Sequence, residues 1–116
     1  MDIESIRSYC LLFPHATEDI QWGNNLLFRV GGKMFAIVDM DTPPSRLSFK
    51  CTSEEYAELI EMEGIIPAPY LARYNWVTLA RLDALEAPEI KRFIRNSYDM
   101  VFAKLSKKVK RQLGQP

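Results

Sequence analysis

Leu26-Leu27-Phe28-Arg29-Val30-Gly31-Gly32-Lys33-Met34-Phe35-Ala36-Ile37-Val38 is the stretch from which the fold is read. Leu26, Phe28 and Val30 alternate with Leu27 and Arg29, the period of a strand with one face toward a core. Gly31-Gly32 supplies a two-residue turn whose central positions both need positive φ. The return segment is apolar on both faces after Lys33, which predicts a strand in the middle of a sheet.

Outward from the hairpin, Asp39 to Pro44 reads as a loop, because Pro43-Pro44 bars a continued ladder. The next run alternates again. Leu47, Phe49 and Cys51 point one way, while Arg46, Ser48 and Lys50 give a basic, solvated face. Thr52-Ser53-Glu54-Glu55 is a capping box that starts a helix to about Met62, burying Tyr56, Leu59 and Ile60. Gly64 fits the left-handed position after it. Ile65 to Arg73 holds Pro67 and Pro69 and reads as irregular or an edge strand. Trp76-Val77-Thr78-Leu79 is a strand, and Leu82 to Ala87 connects.

Residues 2–13 read as a helix capped by Asp2, with Ile3, Ile6, Cys10 and Phe13 on one face and Pro14 as its stop. Pro88 suits the first turn of a long final helix. Its apolar face is Ile90, Ile94, Ser97, Tyr98, Val101 and Leu105; Lys91, Arg92, Arg95 and Lys104 lie off it. Val109 and Leu113 extend that face, or Ser106 caps a short separate helix. Gly114-Gln115-Pro116 is expected to fray. An antiparallel sheet packed on one side by helices, an α+β fold, satisfies these elements.

The 116 residues, 47% of them hydrophobic, suit one domain over 1–116, with fraying allowed from about 106. The N-terminal Met1-Asp2-Ile3-Glu4-Ser5 lacks the basic and apolar regions of a secretory signal. No apolar run is long enough to span a bilayer. Cys10 and Cys51 form no C-x-x-C motif and read as buried free thiols. A cytoplasmic monomer without membrane attachment is the expectation.

Net charge is zero, but its distribution is bipolar. Glu89 to Pro116 carries eight Lys or Arg against two acids, whereas Met1 to Pro88 carries seven against thirteen. Lys104, Lys107, Lys108 and Arg111 share one helical side. They form either a solvated helix end favoured by the macrodipole or an anion-binding patch.

Catalytic signatures are missing from the sequence. His15 is the single histidine, so a hydrolase triad and a two-histidine metal site lack partners. There is no phosphate-cradling glycine loop. Glu18-Asp19 and Asp39 with Asp41 are acidic pairs in loops beside strands, but no calcium-loop motif surrounds them. No catalytic residue, resident metal or cofactor is expected. Tyr70, Tyr74 and Trp76 cluster with Arg73, and Trp22 lies near the start of the sheet. These rings serve either as core partners for the strands or as a stacking surface.

Trp22-Gly23, the run Val30 to Ala36, the Pro69-to-Val77 segment with Trp76, and Ser97-Tyr98 followed by Val101 and Lys104-Leu105 together resemble the MmcQ/YjbR family over about residues 2–108. The resemblance implies a fold similar to frataxin (CyaY-like), and a DNA-binding-like reading in which hairpins act as paired wings. Family members often carry His before the tryptophan; here it is Asn75, so no role of that histidine carries over. The first helix has only Asp2 and Glu4 as acids, without the acidic ridge of a frataxin-like iron role.

Two functional expectations follow. In the first, a non-enzymatic module touches DNA phosphates through Lys33, Arg46, Lys50 and Arg73, with Lys104, Lys107, Lys108 and Arg111 adding attraction. In the second, a small-molecule or protein-partner adaptor uses a pocket of Trp22, Tyr70, Tyr74 and Trp76, with Arg73 or Lys33 holding an anion.

Overall fold

The computed structural model describes residues 1–41 and 43–114. Helix α1 (Ile3–Cys10) precedes strands β1 (Thr17–Gln21), β2 (Asn25–Val30), β3 (Lys33–Asp39) and β4 (Arg46–Lys50). Then come α2 (Ser53–Leu59), β5 (Ile65–Pro67), β6 (Trp76–Leu79), α3 (Ala87–Ala103) and α4 (Lys107–Gln112). The strands form one antiparallel sheet in the order β1-β2-β3-β4-β6-β5. The hairpin falls where the glycine pair places it, and β3 lies inside the sheet.

One face of the sheet carries the main core. Phe28, Phe35, Val38, Leu47, Phe49, Val77 and Leu79 pack there against Ile6 of α1, Leu59 of α2, and Ile90 and Ile94 of α3. The α-helices therefore cover one side only. Fully burying each of these large side chains contributes about 1.5–3 kcal/mol before chain entropy is set against it.

The capping boxes explain where α1 and α2 begin. Asp2 and Ser5 exchange backbone and side-chain bonds, and Thr52 and Glu55 do the same. Helix α1 stops at Cys10, three residues before the predicted end. Proline disfavours helical geometry at the residue before it. The chain instead turns so that the Phe13 ring stacks on Tyr98, with centroids 4.8 Å apart. Tyr98 donates its hydroxyl to the Pro14 carbonyl at 2.6 Å.

Strand β1 is a correction to the sequence reading, which left Glu18 and Asp19 in a loop. Thr17-Glu18-Asp19-Ile20-Gln21 is an edge strand with little burial, so it carries no apolar alternation to detect. Its acids are held by arginines. Arg7 donates to Glu18 through Nε and Nη2, and Arg29 Nε meets Asp19 at 2.9 Å.

The helical tail resolves in favour of the Ser106 cap. Ser106 accepts the Val109 amide at 3.1 Å and begins α4. Leu105 and Val109 then close over the hairpin tip. A Cβ at Gly31, where φ is +57°, would stand 2.7 Å from Leu105 and 2.8 Å from Val109. Gly31 thus answers both a backbone and a space requirement. Gly64 follows α2 at φ +84°. Of the end expected to fray, Gln115 and Pro116 lie outside the described residues, as does Thr42 of the Asp39-to-Pro44 loop.

Candidate functional site

The face without α-helices is where the sequence reading needs its largest revision. Cross-strand pairing lines up Asp19, Leu27, Ile37, Ser48, Thr78 and Ile66 in one row across all six strands. A second row joins Gln21, Asn25, Asp39 and Arg46. Arg46, Ser48 and Lys50 do point to this side, but they are half-buried rather than solvated. Ser48 and Thr78 bring their hydroxyls within 2.7 Å.

The cover comes from the segment after β5. Ala68 donates its amide to the Trp76 carbonyl, Leu71 donates to Ala68, and Asn75 donates to Ala72. Asn75 takes a left-handed conformation, φ 64°, which asparagine tolerates better than most residues. Its carbonyl accepts the Cys51 amide at 2.9 Å. This coil packs Ala68 and Leu71 with Trp76 onto Leu27, Ile37 and Met34, making a second, smaller apolar cluster.

Between that cover and the β1–β2 turn lies a groove of about 780 Å³. Ile37, Ser48 and Thr78 line its floor, Met34, Ala68 and Leu71 its apolar wall, and Asn25, Asp39 and Arg46 its polar end. Trp22, from the β1–β2 turn, and Tyr70, from the coil, also line it. Trp22 is 66% exposed and Tyr70 98% exposed. Both have positive φ, 51° and 66°, a conformation uncommon for non-glycine residues and strained for bulky ones. Two rings are therefore held out beside an apolar trough at a backbone cost.

Arg46 is the cation of this groove. Its Nε is buried and has no hydrogen-bond partner among the described residues. Asp39, directly opposite on β3, joins Arg46 in none of the ion pairs found there. A buried guanidinium nitrogen without an acceptor is costly, and such groups call for an explanation.

The expected pocket residues divide. Trp22 and Tyr70 line the groove. Trp76, 5% exposed, lies beneath it in the small cluster. Tyr74 stands outside, its ring 4.8 Å from the Arg73 guanidinium. The core reading fails for Trp22 and holds for Trp76. The cation that lines the groove is Arg46, which the sequence reading had put among the phosphate contacts; Arg73 and Lys33 do not line it. Asp39 and Met34 were missed as lining residues. β3 is apolar from Met34 to Val38, so no alternation marked them, and the register shift in the β2–β3 pairing lets Met34 share the groove with Ile37 and Asp39.

The other basic residues gather at the opposite end of the sheet. Lys33 opens β3, Lys50 closes β4 beside it, and Arg73 precedes β6. Lys50 donates Nζ to the Tyr74 carbonyl at 2.7 Å. Burial, and then the nearby Lys104 ammonium, lower the Lys50 pKa. Lys107, Lys108 and Arg111 are exposed on α4, which sits on the hairpin tip. Arg46, at the far end of β4, lies about 13 Å from Lys50 along the strand and does not join this patch.

The remaining candidates have structural partners. Asp39 accepts the Asp41 amide, and Asp41 accepts the Asn24 amide at 3.1 Å, fastening the β1–β2 turn. His15 lies in the turn after α1 with φ 62°. Cys10 and Cys51 are free and buried. Burial pushes the Cys10 thiol up to about 12 and the Cys51 thiol up to about 11, so neither supplies a thiolate at neutral pH. No cluster of potential metal ligands occurs among the described residues. No helix among them is long and apolar enough to cross a membrane.

Comparison with known proteins gives a consistent picture. The YjbR family model matches residues 11–100. The crystal structure of a Deinococcus radiodurans protein with the DUF419 domain is similar at TM-score 0.85 and 30% identity, over 98% of this chain and 88% of that one. A Pseudomonas syringae protein, solved as a structural-genomics target, is similar at TM-score 0.72 and 21% identity, over 87% of this chain and 99% of its own. The latter shows the fold alone. No curated protein matches the chain.

Proposed function

This chain belongs to the YjbR family, and from that premise we propose that it is a non-enzymatic binding module for a small molecule with an anionic group and a flat apolar body. The groove on the face without α-helices takes the ligand. Arg46 holds the anion, the Met34–Ala68–Leu71 wall takes the body, and Trp22 and Tyr70 close on it. The observation that carries the reading is the buried Arg46 Nε without a protein acceptor, at one end of an apolar groove also lined by two strained, exposed rings. Ligand sites are commonly concave and apolar with a few convergent polar groups. The protein works as a cytoplasmic monomer with reduced thiols in this reading.

An NMR titration with 2-naphthoate tests it. Amide and side-chain shifts confined to Trp22, Ile37, Arg46, Ser48, Tyr70 and Thr78 are expected. Shifts centred on Lys33, Lys50 and Lys104, with none in the groove, would overturn it.

A second reading rests on the other end of the sheet. Lys33, Lys50, Arg73, Lys104, Lys107, Lys108 and Arg111 would contact an anionic polymer such as duplex DNA. The crowding of Lys50 by Lys104 favours it. Affinity would then fall with salt at about 0.9 in log–log slope per phosphate contact. An anisotropy titration that shows no binding at low salt removes this reading.

A further inference from the structure

We infer that the groove is built for a zwitterion: a free α-amino carboxylate bearing a flat apolar side chain. The inference rests on the small-molecule reading above and specifies its ligand. Asp39 and Arg46 are direct partners across β3 and β4, so their Cβ atoms lie about 5 Å apart on one face. Both reach the groove, and yet they join in no ion pair among the described residues. Opposite charges at that spacing ordinarily close on one another; here both residues line the same groove without doing so.

The remaining capacity is complementary to an amino acid's two charges. Arg46 lines the groove in no ion pair among the described residues, and its buried Nε lacks an acceptor. Asp39 uses one carboxylate oxygen for the Asp41 amide and leaves the other. Asn25, opposite Asp39 on β2, spends its amide nitrogen on the Trp22 carbonyl at 3.0 Å, which leaves its side-chain oxygen as a further acceptor. A carboxylate on Arg46 and an ammonium between Asp39 and Asn25 fill both roles. The side chain then runs along Ile37 toward the apolar wall. A ligand with the anion alone would leave Asp39 beside its own negative charge, which is unfavourable.

The test uses the whole chain, 15N-labelled, and three probes: L-tryptophan, N-acetyl-L-tryptophan and L-tryptophan amide. The Trp22 indole and Arg46 Nε signals are followed. L-Tryptophan is expected to bind at least five-fold more tightly than either single-charge analogue, and Asp39→Asn, which keeps an acceptor for Asp41, is expected to remove the preference over N-acetyl-L-tryptophan. N-acetyl-L-tryptophan binding the groove within two-fold of L-tryptophan overturns the zwitterion and leaves the anion-binding groove standing. Equal binding of the amide, or no groove shift with any probe, overturns both. The analogue comparison is made on the unaltered protein, so it holds whether or not the variant folds.

Discussion

The Ser97 hydroxyl, fully buried on α3, accepts the Lys50 backbone amide at 3.0 Å while donating to the Phe35 carbonyl at 2.6 Å. Pairing between β3 and β4 runs as far as Ala36 and Phe49 and then stops. The serine takes the place of the next rung and pins the long helix to the sheet. Ser97→Ala leaves a buried donor and acceptor unmatched, and a loss of about 2 kcal/mol in denaturant unfolding is expected. Hydrogen exchange at the Lys50 amide should accelerate with it. An unchanged midpoint would mean that the bridge does not hold the two layers.

Gly31→Ala is expected to cost about 2 kcal/mol or more, because a methyl group meets Leu105 and Val109 at an already left-handed position. Gly32→Ala, with φ +82° and nothing within 4 Å, carries the backbone cost alone, about 1 kcal/mol. Chemical denaturation of both variants checks the difference. Equal losses would show that α4 does not seat on the turn.

Lys104→Gln is expected to move the Lys50 pKa part of the way back toward 10.5, leaving the larger effect of burial. Side-chain NMR titration reads this directly. The folded-state value is depressed, so between it and 10.5 the unfolded chain holds a proton that the folded chain has released. Stability attributable to Lys50 therefore rises with pH through that window. A Lys50 titration indifferent to the substitution would separate the two cations in space.

How much of this was legible beforehand follows from where the apolar pattern is strong. The hairpin, β4, α2 and α3 were readable because alternation, a glycine pair, a capping box and a proline each act locally. Strand β1 was not, since an edge strand of Thr17, Glu18, Asp19 and Gln21 buries too little to leave a period. The groove was half legible. Clustered aromatics marked the segment around Tyr70, but strand alternation alone made Arg46 and Lys50 equivalent. Only the coil from Ala68 to Asn75, folding back over one end of that face, distinguishes a groove cation from a rim cation. The left-handed Trp22 and Tyr70 could not be read at all, because neither residue type prefers that geometry.

Arg46→Met should leave the fold intact and raise stability by about 1 kcal/mol, since an apolar side chain of similar length replaces a half-buried guanidinium group whose buried Nε has no acceptor. Function and stability then pull in opposite directions at this position, as they do where a site is held ready for a ligand. Thermal unfolding of the ligand-free variant gives the sign. A marked loss of stability would make Arg46 structural.

The most direct measurement is a calorimetric titration of 2-naphthoate into the protein and its Arg46→Met variant, with the exposed Arg95→Ala as a control for net charge. A groove ligand anchored by Arg46 predicts saturable one-to-one binding that weakens at least ten-fold in Arg46→Met and stays within two-fold in Arg95→Ala. Binding of equal strength in the protein and in Arg46→Met would contradict the account.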